Sequence, residues 1–222
     1  MGFSDELRDR ARGIWGAILA HPFIADLGDG SLPPEKYLYY IRQDYAYLLD
    51  FSRCLGLAVS KAQSPEDMHT LAGLTNGCLS YELNILTGHL RELGLTIEEI
   101  GSIELAPTNH AYTRHMLHVA YSGSVGENLA ALLPCMWTYR LIGEKLWAER
   151  AEEVPRHYLE WIEGYRAPEY LALVDKYRAM VDSCGEAAGP QERSLMVRHF
   201  MTSSRYEYMF WDMAYRMEKW LI

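Results

Sequence analysis

Apolar residues recur at three- and four-residue spacing along nearly the whole chain, and no stretch shows the two-residue alternation of a half-buried strand. The pattern predicts an all-α protein. The one Asn-Gly pair, at Asn76, falls inside a helical stretch rather than at a hairpin. A first helix is expected from near Ser4, with Asp5 and Glu6 in its first turn and Leu7, Ala11, Trp15 and Ile18 on one stripe, ending by His21-Pro22. Ser31, Pro33, Pro34 and Glu35 start a long second helix to about Lys61, since proline suits a first turn whose amide has no partner. A third is expected from Pro65 to Leu93, stopped by Gly94, and a fourth from Pro107 to Ser122. Thr96 to Glu99 and Ser124 to Glu127 match the capping box, and the second opens a helix that contains Pro134. Beyond Pro155 the pattern gives a short helix to Arg166, another from Pro168 to about Cys184, a loop over Gly185 to Gly189, and a long last helix from Pro190 to Trp220. Eight or nine helices with short connections, no repeat and no biased linker imply one helical bundle domain over residues 1–222.

Three of these helices place a residue capable of chemistry in the stripe that faces the core. In the second helix Tyr37, Ile41, Asp44, Leu48, Phe51 and Leu55 turn the Asp44 carboxylate inward, with Tyr47 three residues on. In the last, Phe200, Ser203, Glu207, Trp211 and Ala214 do the same for Glu207, beside Tyr206, Tyr208 and Phe210. In the helix after Ser124, Ala131, Cys135, Tyr139, Ile142 and Leu146 bring a thiol and a phenol onto one face. Pro134 frees the carbonyl of Ala130 there and opens the turn that carries Cys135. Taken singly, a buried carboxylate is commonly a salt-bridge partner and a buried cysteine an inert small hydrophobe. Because an uncompensated buried carboxylate is costly, the coincidence of all three points to a site.

Other constellations are weaker. Glu66 and His69 form one Glu-x-x-His, but a di-iron bundle needs that unit twice with two further carboxylates. His115 and His118 share a helix face, and Arg114 beside them suggests that the face is solvated. Ser122-Gly123-Ser124-Val125-Gly126 has the wrong spacing and no strand for a nucleophile elbow, and no glycine loop suited to a triphosphate is present.

Charge narrows the partners. Asp and Glu number 30 against 21 Lys and Arg, a formal net charge of -9, with no basic cluster to track a phosphate backbone, so nucleic acid is not expected as a partner. No apolar run reaches the ~20 residues needed to span a bilayer, so no membrane partner is expected. The start, MGFSDELRDR, carries acids where a secretory signal needs a basic and then apolar run, and Glu6 stands where myristoylation needs Ser or Thr, which suggests the cytoplasm. The four cysteines, at 54, 78, 135 and 184, are far apart, without Cys-x-x-Cys or zinc-site spacing, and are expected to be reduced thiols.

Four segments, YIRQDYAYLLDFSR (40 to 53), NHAYTRHMLHVAYSG (109 to 123), AALLPCMWTYRLIGEKL (130 to 146) and SSRYEYMFWDMAYRMEKW (203 to 220), occur in an order that resembles the TenA, or thiaminase II, family over the whole chain. The resemblance implies the helical fold shared with haem oxygenase, without haem, and a homotetramer. It also implies cleavage of thiamin, or hydrolysis of aminopyrimidines left by thiamin breakdown, to a hydroxymethylpyrimidine for salvage. Carried over by position, it makes Cys135 the nucleophile, Glu207 the acid/base and Asp44 the group that holds the aminopyrimidine edge. Tyr47, Tyr112, Tyr139 and Tyr165 resemble the phenols that line the family's pocket, and Phe210 a stacking wall. Trp137 and Arg140 are bulkier than the family pattern at those places, which bears on pocket shape and leaving group.

The residue types suit that chemistry. Protonating a ring nitrogen makes an aminopyrimidine carbon open to attack, which calls for a carboxyl group whose pKa burial has raised, as inward Glu207 or Asp44 would be. A thiol in an apolar setting keeps its proton and needs a base, and no Lys or His lies in the Cys135 stripe, which leaves Glu207. One cysteine and one carboxylate then suffice, with no metal and no organic cofactor. Two other readings stay open at this level: a pocket that binds a thiamin-related pyrimidine without turning it over, and an iron oxidase built on Glu66 and His69.

Overall fold

The computed structural model describes residues 2–92, 94, 96, 98–99 and 103–222, and all the regular elements among them are helical. In chain order they are α1 (Phe3–Leu19), α2 (Pro22–Asp29), α3 (Pro34–Lys61), α4 (Pro65–Gly77), a π-helical turn (Cys78–Glu82), α5 (Leu83–Glu92), α6 (Pro107–Ser122), α7 (Val125–Glu149), α8 (Arg156–Gly164), α9 (Pro168–Ala187) and α10 (Pro190–Arg216). Proline opens α2, α3, α4, α6, α9 and α10, where its missing N–H costs nothing. Ser64 and Ser124 cap α4 and α7 through their hydroxyls, and Glu127 completes the predicted capping box on the Ser124 amide. The Thr96–Glu99 box forms as well, with the Glu99 amide 3.3 Å from Thr96 Oγ1 and the Thr96 amide 2.8 Å from Glu99 Oε2.

The all-α expectation stands, with four local differences. His21-Pro22 ends α1 but at once starts α2: the His21 ring accepts from the Phe23 amide at 3.1 Å, and Phe23, Ile24 and Leu27 make eight residues worth burying. The predicted third helix is two helices joined by the π turn, and its predicted end at Leu93 lies outside the described residues. The helix α9 runs on through Gly185 to Ala187 instead of breaking there. A Cβ at Gly185 would sit 2.1 Å from Phe3 Cδ1, so this glycine marks the close approach of α1 to α9, not a loop. At the other end α10 stops at Arg216, where Met217 takes a left-handed conformation (φ 51°), and the Glu218 carboxylate turns back to accept from the amide and hydroxyl of Thr108.

The centre of the bundle is α7, whose residues 128–139 are all buried. Such a segment, LAALLPCMW in its middle, is apolar all round rather than striped, as a helix surrounded by others must be. It packs most extensively against α10 and α9 and also meets α3, α6 and α8. Cys135, Tyr47, Tyr112, Tyr139, Tyr165 and Phe210 all belong to one continuous apolar cluster. No helix among the described residues is long and apolar enough to cross a membrane.

Candidate active site

Asp44 on α3, Cys135 on α7 and Glu207 on α10 are respectively 2%, 5% and 2% exposed, so each predicted intrusion into an apolar stripe is an interior group. Around Asp44, Tyr40 Oη donates to Oδ2 at 3.1 Å and lies 3.2 Å from Tyr139 Oη, while the Trp161 indole N–H donates to the same Tyr40 oxygen at 3.2 Å. Tyr165, just past the end of α8, packs edge-on to Tyr139 at 4.8 Å between ring centres. That approach depends on Gly143, where a Cβ would stand 3.1 Å from Tyr165 Cβ.

Around Glu207, Tyr112 Oη donates to Oε1 at 2.6 Å and Thr138 Oγ1 lies 3.5 Å from Oε2 and 3.3 Å from the Cys135 carbonyl oxygen. The Tyr47 ring lies 5.1 Å from that of Tyr112 and 5.6 Å from that of Phe210. Cys135 borders both groups: its charge, if formed, opposes ionisation of Tyr47 and Tyr112 on one side and Tyr139 on the other. All eight predicted site residues therefore meet in one buried neighbourhood assembled from α3, α6, α7, α10 and the end of α8.

Burial sets the protonation of the two carboxyl groups. Loss of solvent pushes Asp44 up to about 7, against the lowering effect of the Tyr40 hydrogen bond. Loss of solvent also pushes Glu207 up to about 8, resisted first by the bond from Tyr112, then reinforced by the negative charge of Asp44. Neither forms an ion pair among the described residues; their partners are hydroxyl groups. The tyrosines Tyr40, Tyr47, Tyr112 and Tyr139 are buried enough that their phenols stay protonated and act as hydrogen-bond donors and acceptors, not as bases.

The model of the TENA/THI-4/PQQC family matches residues 8–217. The chain belongs to this family. Among curated relatives, the aminopyrimidine aminohydrolase of Halalkalibacterium halodurans is 37% identical over 220 residues, covering 99% of this chain and 98% of its own. Among solved structures, the TenA homologue of P. horikoshii OT3 superposes with a TM-score of 0.89 at 36% identity, over 97% of this chain and 99% of its own. A domain of unknown function from Shewanella denitrificans, described as having a haem-oxygenase-like fold, superposes with a TM-score of 0.74 at 13% identity, over 96% and 92%, and shows the fold alone.

In this TenA-family chain the two bulky residues that bore on pocket shape turn elsewhere. Trp137 stacks edge-on against Trp15 at 5.3 Å and lies under the Arg178 guanidinium at 4.0 Å, and Arg140 pairs with Glu144 and Asp175. Glu66 and His69 are exposed on α4, and no group of three or more metal-ligating side chains occurs among the described residues. On the face shared by His115 and His118, Arg114 and His118 are exposed as expected, and only His115 is drawn inward. Arg114 reaches out to Asp50, while the half-buried His115 ring lies 5.7 Å from that of His199 and burial pushes its pKa down to about 4.

Three site residues escaped the sequence pattern. Tyr40 is one turn before Asp44 on α3, and Thr138 one turn after Cys135 on α7, so each carried the i, i+4 or i, i+3 spacing that reveals a same-face neighbour. Trp161 reaches Tyr40 across 121 residues of sequence and gave no local signal.

Proposed function

We propose that the chain hydrolyses thiamin-related aminopyrimidines, releasing hydroxymethylpyrimidine in thiamin salvage, with Cys135 as nucleophile and Glu207 as acid/base. The observation that carries the reading is the pair of buried carboxyl groups, Asp44 and Glu207, bonded to hydroxyls and raised by burial to about 7 and about 8, on either side of the Cys135 turn. The name aminopyrimidine aminohydrolase, borne by a relative aligned over nearly the whole length of both chains, supports the substrate class.

At neutral pH Glu207 carries its proton and enters as the acid, so the ring nitrogen, and not Glu207 as the sequence suggested, takes the proton of the Cys135 thiol. Cys135 Sγ adds to an electron-poor ring carbon, and the thiol proton passes to a ring nitrogen, so the aromatic ring becomes an enamine-like dihydropyrimidine. The nitrogen lone pair then expels the amine from the exocyclic methylene, and Glu207 supplies the proton with which it leaves as ammonia. Water adds to the methylene and returns a proton to the Glu207 carboxylate. Departure of the thiolate, with loss of the ring N–H proton to it, restores the aromatic ring and the thiol. The net change is one amine replaced by one hydroxyl, with water consumed and ammonia released. Asp44 and Tyr139 hold the amino edge of the ring, and Tyr47, Tyr112, Tyr165 and Phe210 supply flat apolar contact.

The chain works as a single domain, and the family resemblance supports a homotetramer in the cytoplasm. Steady-state assay of ammonia and hydroxymethylpyrimidine released from an aminomethyl-aminopyrimidine, beside cleavage of thiamin, tests the reading. Turnover of the aminopyrimidine that depends on both Cys135 and Glu207 is expected; binding of either compound without product would make the protein a pyrimidine-binding module instead.

A further inference from the structure

A phenol oxygen has one proton to give and two lone pairs to receive with. Tyr40 Oη has three neighbours: Trp161 Nε1 at 3.2 Å, Asp44 Oδ2 at 3.1 Å and Tyr139 Oη at 3.2 Å. The indole N–H can only donate, so it occupies one lone pair permanently. One proton and one lone pair remain for Asp44 and Tyr139 together. When Asp44 is ionised it can only accept, so Tyr40 gives it the proton and must take one from Tyr139. The Tyr139 hydroxyl has then spent its only proton and can only accept from a ligand. When Oδ2 is protonated the chain runs the other way: Asp44 donates to Tyr40, Tyr40 donates to Tyr139, and Tyr139 has its own proton free to donate.

We propose that Tyr40, saturated by Trp161, is a positioning residue that locks the protonation of Asp44 to the donor or acceptor sense of the Tyr139 hydroxyl, and so sets which edge of an aminopyrimidine the site accepts. The inference rests on the proposed aminopyrimidine hydrolysis for its ligand, but the lock belongs to the free protein. With Asp44 ionised the site offers two acceptors, which match the N–H of a ring amino group and an N–H on a protonated ring nitrogen. With Asp44 protonated, Tyr139 offers a donor, which matches an unprotonated ring nitrogen. Gain of a proton by the ring is thereby matched by a site that has turned from donor to acceptor, without any side chain changing place.

The titratable groups around this chain are few and identifiable. Tyr40 and Tyr37 share α3 with Asp44; Tyr139 and Cys135 face it from α7, Tyr165 from the end of α8, and Glu207 from α10. Burial holds Tyr40 and Tyr139 protonated, so Asp44 is the group within the Tyr40–Asp44–Tyr139 chain that changes state near neutral pH.

The test is carbon-13 NMR of the intact, ligand-free protein with labelled aspartate carboxyl and tyrosine ring carbons, the Asp44 and Tyr139 signals being assigned with Asp44→Asn and Tyr139→Phe. In wild type the Tyr139 signal should move with the same midpoint as the Asp44 carboxyl. In Tyr40→Phe the Asp44 midpoint should rise by about one pH unit, the loss of one hydrogen bond to a charged group, and the Tyr139 signal should stop following it. Tyr158→Phe, which removes an equally buried hydroxyl whose partner is the Leu32 carbonyl, should alter neither. A Tyr139 signal that stays flat while Asp44 titrates, an Asp44 that keeps one state across neutral pH, or a Tyr40→Phe protein in which both signals behave as in wild type overturns the lock. None of these outcomes depends on turnover, so absence of ammonia release from an aminopyrimidine would refute the proposed reaction separately.

Discussion

The Tyr112 hydroxyl donates to Glu207 Oε1 at 2.6 Å in the interior of the bundle, and this bond opposes the effect of burial on the carboxyl group. Without it the ionised form of Glu207 would be less favoured still. Tyr112→Phe should therefore raise the Glu207 pKa further and carry the alkaline limb of the kcat/KM profile, set near 8 in wild type by loss of the acid, to higher pH. Turnover at the optimum should fall about tenfold, the value of one hydrogen bond of ~1.4 kcal/mol. An unchanged alkaline limb would show that another group sets it.

The same burial gives stability a pH dependence of definite sign. In the folded chain Glu207 titrates at about 8 against 4.5 for a free side chain, and Asp44 at about 7 against 3.8. Between those limits the folded state holds protons the unfolded chain has released, so stability falls as pH rises, and the loss is complete only above the folded pKa. Glu207→Gln removes its share. The variant should gain stability relative to wild type as pH goes from about 5 to about 9, by on the order of a few kcal/mol at the alkaline end. Chemical denaturation at a series of pH values measures the difference, and a difference that stays constant with pH would place Glu207 in a solvated setting.

Removal of the thiol separates chemistry from packing. Cys135 is 5% exposed within the central helix, so Cys135→Ala leaves a small void and should cost about 1 kcal/mol of stability. The same change should reduce hydrolysis of the aminopyrimidine by at least about 10³-fold, the scale on which loss of a nucleophile is felt. Circular dichroism and steady-state kinetics on one preparation decide it. Full activity in a folded Cys135→Ala protein would exclude covalent catalysis.

What the sequence showed of this site was governed by helical geometry. Asp44, Glu207 and Cys135 each interrupt an apolar stripe, which a 3.6-residue period makes visible without any structure. For Asp44 and Glu207 the stripe lies on a helix with a polar face, so the inward direction was defined. On α7 it was not, because residues 128–139 are buried on all sides and Leu133 or Met136 is as interior as Cys135. There the stripe and Pro134 drew notice to the thiol, and the family resemblance supplied its role as nucleophile. Among the groups around the carboxyls, Tyr40 lies one turn from Asp44, a spacing that shows a same-face neighbour without showing its role, whereas Tyr112 is implied by the family resemblance alone and Trp161 by nothing local, since they reach their targets across 95 and 121 residues.

Gly185 shows how one residue type supports opposite readings. With Gly189 it marks a loop in the sequence, yet it lies within α9, because Phe3 occupies the place of its Cβ. Gly185→Ala should force Phe3 or the α1–α9 spacing to give way and cost about 1–3 kcal/mol, the range for an overfilled core. Gly13, exposed on α1 with nothing within 4 Å of its Cβ position, is the matched control. Gly13→Ala should gain about 0.5–1 kcal/mol from helix propensity alone. Urea midpoints of the two variants against wild type test the pair. Opposite signs follow if close packing, not loop flexibility, keeps glycine at 185, whereas a neutral Gly185→Ala would mean that the helix ends can separate freely and that the loop reading was the better one.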